Sequence, residues 1–264
     1  MSTASLTSEI KRNKRVWEET LHDSIQYKPG KAELIEKTEE KLESREKVKQ
    51  KQTILVLNEP ILSVAKIASE KHLNPLVVNC GNTNDPIKIV ESGAIGQESD
   101  LLRRSNLGLS ISPDDHYPLR NKSLYCPDIT IHKNASYVMT KSFKINVLTL
   151  AAVSFPALIN ISADGKTLED YKSPSDRQAM QLCIDHIFKV AVAKGHKCVV
   201  VGDFGVAMGN PARIVIDMFN SAFERYPVRY CFFAITDTSL FQKKASNTNF
   251  LLFSKHIKRT RDSL

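Results

Sequence analysis

The chain has 264 residues, 42% hydrophobic and 25% charged, with a formal net charge of +8. That length suits one large α/β core with an N-terminal extension, two small domains being the alternative. It contains no run of about eighteen apolar residues and no apolar signal segment behind the first Met, so an intracellular, cytoplasmic protein is expected, without membrane span or secretory leader.

Residues 5 to 22 carry Leu6, Ile10, Val16, Trp17 and Leu21 among charges, the pattern of an amphipathic helix laying one side on the main body. From Tyr27 to Gln52 the signal is poor. Pro29-Gly30 is followed by a charged run with only Leu34, Ile35, Leu42 and Val48 as apolar markers, which reads as a surface helix or a connection. After it, short β-branched runs alternate with segments of helical length. Strands are expected at 53–58, 75–80, 129–132, 145–153, 197–202 and 228–236, and helices at 60–72, 95–109, 175–194, 210–225 and about 239–257. Continuous apolar strands alternating with helices imply a largely parallel sheet covered on both faces, a three-layer α/β/α fold. The expected division is an extension over 1–52, a core domain over 53–258 and a basic tail over 259–264. In such sheets ligands bind outside the carboxyl ends of strands, here the loops after Cys80, Val153, Gly202 and Thr236.

Much of the positive charge is terminal, in "KRNKR" at 11–15 and "KHIKRTR" at 255–261, while "EKTEEKLESREKVKQK" mixes both signs. No aromatic residues interleave with these clusters, so solvated faces and basic ends are favoured over a nucleic-acid groove. "KRNKR" also reads as a nuclear address. Cys80, Cys126, Cys183, Cys198 and Cys231 form no C-x-x-C pair and are expected to be reduced thiols, holding neither zinc nor disulfides.

The loop after "KCVVVG" reads "GDFGVAMGNPARIVIDMF". Gly202, Gly205 and Gly209 give backbone freedom and Asn210-Pro211 opens a helix, so freed N–H groups and the helix dipole can hold a diphosphate without a charged side chain. The same Gly-rich turn serves equally as a packing device. "DDH" at 114–116, flanked by Ser112-Pro113 and Pro118, reads as a polar turn and not as metal ligands. His132, His186 and His196 have no second ligand at metal spacing and read as structural. Arg103 and Arg104 suit phosphate, or a solvated or carboxylate-paired face, the latter being favoured.

The order of "VWEETL", "VVNCGN" leading to "GAIGQESDLLRRSNL", "YCPDITIH", "VLTLAAVSFP", "DRQAMQLCIDHIFKVAVAKGHKCVVVGDFG" and "CFFAITD" resembles the microbial-type poly(ADP-ribose) glycohydrolases, macrodomain proteins with an N-terminal helical extension. The resemblance covers roughly residues 15 to 257. It implies an ADP-ribose cleft at the strand ends, no metal or other cofactor, and ADP-ribose or an ADP-ribosylated protein as partner. It also implies ligand contacts from Asn79, facing the ribose, and from Gly81, Gln97 and Ser99, with Gly202, Phe204, Gly205, Val206, Ala207 and Gly209 as the second phosphate loop.

This sequence departs from the family's catalytic signature, a triple-glycine turn, a spacer, then Gln-Glu-Glu at the head of a helix. "CGNTNDP" stands at the turn, leaving Gly81 and placing Asp85 near a diphosphate, and Gln97-Glu98-Ser99 stands at the helix. The resemblance gives the second glutamate the role of protonating the leaving ribose oxygen, and that position is Ser99. Even the second loop has Val206-Ala207 where a Cys-Gly pair is usual. Phe204 or Phe155 is best placed to cover a ligand ring, core packing being the alternative for each. The reading that follows is a divergent member whose nucleotide site persists with weak or absent hydrolysis. Its rivals are an active enzyme, with Glu98 or Asp100 repositioned as general acid and Asn82 and Asn84 holding the diphosphate, and an interaction protein that keeps only the fold.

Overall fold

The computed structural model describes residues 3–38, 51–81, 83–163, 166–237 and 248–258. Its strands form a mixed seven-stranded sheet in the order β1-β4-β5-β3-β8-β9-β2, flanked by helices, with a separate two-stranded β6-β7 hairpin. This is the expected α/β fold. The chain divides into two compact units. One comprises residues 1–36 and 79–151, the other residues 37–78 and 152–264.

In the first unit α1 (Thr3–Ser24) buries Val16 and Trp17. Strand β1 (Glu33–Glu36) follows, and α3 (Pro86–Glu91), α4 (Gln97–Arg104) and the single-turn α5 (Pro113–His116) precede the long antiparallel pair β4 (Lys122–Lys133) and β5 (Met139–Leu150). The segment read as a surface helix or connection thus contributes a strand, with Glu33 opposite Tyr125 and Glu36 opposite Lys122. Four residues with two glutamates carry no helical or strand period long enough to register, and the pairing partner lies far off in sequence. Residues 39–50 of that segment lie outside the described residues. Strand β4 also begins earlier than expected. Pro127 interrupts the run, but a register shift between Cys126 and Ile129 lets the ladder continue past it.

Arg103, 1% exposed, sets how α4 sits. Its guanidinium donates to the carbonyls of Asn13 (3.2 Å), Val90 (3.3 Å) and Ala94 (2.7 Å). These oxygens lie on α1, on the last turn of α3 and in the turn after it, where helical partners for carbonyls run out. Arg104 instead pairs with Asp100 at 3.0 Å. Of the two arginines considered for phosphate, one is therefore buried against backbone and the other carboxylate-paired.

The second unit contains β2 (Thr53–Leu57), α2 (Ile61–Glu70), most of β3 (Pro75–Cys80), β6 (Leu158–Ala163), β7 (Lys166–Tyr171), α6 (Pro174–Ala193), β8 (Cys198–Val201), α7 (Ala212–Arg225), β9 (Tyr230–Ala234) and α8 (Asn249–His256). Strands β3, β8, β9 and β2 pair in parallel, and β3 and β8 are adjacent, as their unbroken apolar runs require. The antiparallel β6–β7 pair, which the reading above lacks, runs from Leu158 opposite Tyr171 to Ala163 opposite Lys166. Between α6, α7 and β9, Phe188, Phe219, Phe223 and Phe233 meet edge to face. Of the helix expected over 239–257, the described part is α8, capped by the Thr248 hydroxyl on Leu251 N–H; residues 238–247 lie outside the described set.

All five cysteines are free thiols, four of them buried. Burial pushes Cys126 and Cys198 up to about 12, which keeps them neutral. Among the described residues, no group of three or more His, Cys, Asp or Glu is placed to hold a metal ion, and no helix is long and apolar enough to cross a membrane.

Candidate functional site

Asn79 is the penultimate residue of β3 and is fully buried. Its amide nitrogen donates to Glu98 Oε1 at 3.0 Å and to Thr149 Oγ1 at 3.2 Å. Its amide oxygen has no hydrogen-bond partner. A buried amide oxygen left open is costly, on the order of 1–3 kcal/mol, and such an atom is a natural place for a ligand donor. Gly81 follows, its N–H held by the Leu150 carbonyl at 3.1 Å. A Cβ on it would stand 2.3 Å from Thr149 Cγ2 and 2.6 Å from Glu98 Oε1, so the side chains around Asn79 approach as they do only because this residue is glycine.

Helix α4 presents the predicted trio in three different ways. Gln97 is exposed, Glu98 is half-buried against Asn79 and Ser99 is 3% exposed. Ser99 shares a face with Leu102 and Arg103, three and four residues on, and that face is turned into the protein. The carboxylate that reaches the strand end is therefore Glu98, while Asp100 is occupied by Arg104.

Asp85 has a local structural role. It caps α3, its Oδ1 accepting from Ile87 N (2.9 Å) and Lys88 N (3.3 Å), with Pro86 in the first helical turn. Two of the first N–H groups of α3 are thus bound to a carboxylate of the chain itself. Asn82, one of the amides considered for holding the diphosphate, lies outside the described residues.

Tyr117, at the end of α5, has a buried hydroxyl without a hydrogen-bond partner. Burial raises its pKa far above the usual phenol range, and the charge of Glu98 raises it further, with smaller contributions from Cys126 and Asp85. The segment is tied to the turn after Gly81 by Leu119 N–H donating to the Thr83 carbonyl at 3.0 Å. Thr149 and Tyr117 were not singled out from the sequence. Thr149 lies within "VLTLAAVSFP" and accepts from Asn79 from β5, while Tyr117 lies in none of the stretches quoted above.

In the second unit the loop after β8 is locked by Asn210. Its amide nitrogen donates to the carbonyls of Val153 (2.7 Å) and Gly205 (2.8 Å), and its oxygen accepts from the Tyr171 hydroxyl (2.8 Å). Gly205 and Gly209 both take left-handed backbone, φ +79° and +84°, at the two ends of a short 3₁₀ turn over Val206–Met208. Those two glycines are needed there because side-chain-bearing residues disfavour that region. Gly202 is half-buried, Val206 half-buried, and Ala207 and Gly209 exposed. Phe204 is 3% exposed, so it packs in the core. Phe155 is 75% exposed and sits on the loop, its N–H donating to the Met208 carbonyl at 2.8 Å. Of the two aromatics considered for covering a ring, only Phe155 offers a free face.

The three histidines read as structural are all buried. His132 Nε2 meets Ser24 Oγ at 3.0 Å and its ring stacks on Tyr27, while His196 Nδ1 meets the Asn74 carbonyl at 3.0 Å. Burial, and then Lys37 and Lys189, hold His186 down to about 4. At 114–116 the Ser112 hydroxyl donates to Asp115 at 2.6 Å and Ser112 N–H to His116 Nδ1 at 3.1 Å, a self-contained polar turn.

No protein-family model and no curated protein matches the sequence. Solved structures do. The poly(ADP-ribose) glycohydrolase of Thermomonospora curvata matches at a TM-score of 0.73 and 16% identity, over 94% of this chain and 100% of that one. Its form bound to the inhibitor ADP-HPD matches at 0.70 and 15%, over 93% and 99%. The Deinococcus radiodurans enzyme in complex with ADP-ribose matches at 0.66 and 15%, over 90% and 97%. The chain thus has the fold of these glycohydrolases over nearly its whole length.

Proposed function

We propose that this chain is a divergent poly(ADP-ribose) glycohydrolase-like macrodomain that binds ADP-ribose, free or attached to a protein, with glycohydrolase turnover weak or absent. The observation that carries this reading is the orientation of α4. Glu98 stands at the strand end as acceptor for the Asn79 amide, and Ser99, in the position that the resemblance gives to the proton donor, is buried.

Cleaving a ribose–ribose bond passes through an oxocarbenium-like state whose departing oxygen needs a proton. A serine hydroxyl does not supply one near neutral pH, and a positioned acid is worth about 10²- to 10⁴-fold in rate. The binding elements are better kept. Asn79 retains an open amide oxygen, and the left-handed glycines at 205 and 209 keep the backbone that a diphosphate needs.

A second reading, hydrolysis with Glu98 as acid, draws on the same contact between Glu98 and Asn79. Calorimetric titration with ADP-ribose, paired with release of ADP-ribose from a poly(ADP-ribosyl)ated substrate, separates the two. Saturable micromolar binding with little or no release is expected, and Ser99→Glu should recover little, because its carboxylate enters a buried position. Robust release abolished by Glu98→Gln supports the second reading. No heat at millimolar ligand overturns both.

A further inference from the structure

Each of the parallel strands β3, β8, β9 and β2 is entered past a basic residue. Lys71 lies in the turn before β3, Lys197 and Arg229 immediately precede β8 and β9, and Lys51 stands two residues before β2; all four are exposed. Far apart in sequence, they are collected by the ladder, in which Cys198 is paired with Pro75 and with Tyr230, and Tyr230 with Thr53. Adjacent strands lie about 4.8 Å apart, so the row crosses the amino ends of these strands over about 15 Å, at the end of the sheet opposite the loop after β8. We propose that this row is a binding surface for the phosphate backbone of single-stranded nucleic acid, separate from the ADP-ribose site.

The row carries a cost that the fold does not explain. Lys71 is the C-terminal cap of α2, where a cation offsets the helix dipole. Lys197 and Arg229 have no such task. Backbone bonds hold them side by side, Tyr230 N–H donating to the Lys197 carbonyl at 2.9 Å and Thr53 N–H to the Arg229 carbonyl at 2.8 Å, and like charges on neighbouring strands repel. Among the described residues no carboxylate forms an ion pair with either. Glu70, beside Lys71, pairs with Lys66 at 3.9 Å, and Glu224 pairs with Lys258. A partner with negative charges repeated at fixed steps offsets this repulsion along the whole row, which is what a nucleic-acid strand supplies. The Arg229 guanidinium also lies 5.2 Å over the Tyr230 ring, a flat cationic platform on which an unpaired base can stack. None of the exposed large apolar side chains belongs to the row, so it lacks the apolar face that a lipid surface requires.

The test is fluorescence anisotropy of a labelled single-stranded oligothymidine over a series of salt concentrations. Contacts from four cations to phosphate give a slope of log K against log salt of about −3. Lys197→Gln/Arg229→Gln should bring that slope to about half, while Lys11→Gln/Lys14→Gln on the basic face of α1 should leave it in place. The Lys197→Gln/Arg229→Gln protein should melt at the wild-type temperature or above it, since the change removes only repulsion. Saturating ADP-ribose should not displace the oligonucleotide. The assignment is overturned by absence of binding in the wild type, by an unchanged slope in Lys197→Gln/Arg229→Gln, or by an equal loss in the α1 variant. It is overturned as well by a lowered melting temperature, by displacement with ADP-ribose, or by tighter binding of a duplex of the same length. The ADP-ribose reading is tested separately by its own titration, and absence of heat there leaves this surface untouched.

Discussion

Gly81→Ala tests whether the Asn79 corner is built on the missing Cβ. The added carbon would lie 2.3 Å from Thr149 Cγ2 and 2.6 Å from Glu98 Oε1. Carbon atoms in contact need about 3.5 Å, so the methyl group of Thr149 must give way by roughly 1.2 Å. Thr149 is 1% exposed on β5 and β-branched, which leaves it little room to turn. Glu98 meets the new carbon with the far end of a flexible side chain, so it can swing aside. Overpacking of this kind costs about 1–3 kcal/mol, or roughly 3–10 °C in melting temperature for a chain of this size.

Thr149→Ser supplies the compensating change, deleting the clashing methyl group and keeping the hydroxyl that accepts from Asn79. The double variant Gly81→Ala/Thr149→Ser should be more stable than Gly81→Ala alone in urea denaturation, a coupling that independent sites do not show. Glu98 stays displaced in both, so ADP-ribose affinity measured by calorimetry should remain about tenfold reduced even where stability returns. The reasoning is refuted if Gly81→Ala is as stable as wild type, or if Thr149→Ser adds its own loss to that of Gly81→Ala.

Asn210→Asp turns two donors into acceptors facing the Val153 and Gly205 carbonyls. It should destabilise the protein by about 2–4 kcal/mol and weaken ADP-ribose binding, and a urea midpoint within about 0.5 kcal/mol of wild type would contradict the locking role. His186 gives the pH dependence. Its folded pKa of about 4 lies below the unfolded value near 6.5, so the unfolded chain takes up a proton that the folded chain refuses. Its stabilising share is complete above about pH 6.5 and is lost as pH falls towards 4, a change of roughly 3 kcal/mol. Denaturation at pH 7.5 and 4.5 should show a smaller difference for His186→Gln than for wild type, and equal differences would remove His186 as the cause.

The parts of the fold that are legible in the sequence are those whose signal is local. Strands β3 and β8 are buried on both faces, so "PLVVNC" and "CVVV" are continuous apolar runs and their parallel pairing follows. Gly205 and Gly209 stand out because a turn that needs left-handed backbone needs glycine. The cap formed by Asp85-Pro86 is written just as locally.

Other features depend on partners far away in the chain. Strand β1 has two glutamates in four residues and exists because β4 offers it an edge. Gln97, Glu98 and Ser99 announce a helix head, but which of them meets Asn79 depends on how α4 is rotated about its axis. Arg103 fixes that rotation through carbonyls on α1, on α3 and in the turn after it, contacts separated by 9 to 90 residues that no helical period encodes. The sequence by itself determined that a carboxylate and a serine compete at this site. Only tertiary structure decided that the serine turns inward and the carboxylate reaches the strand end, because a helix has one rotation and its buried cation had already chosen it.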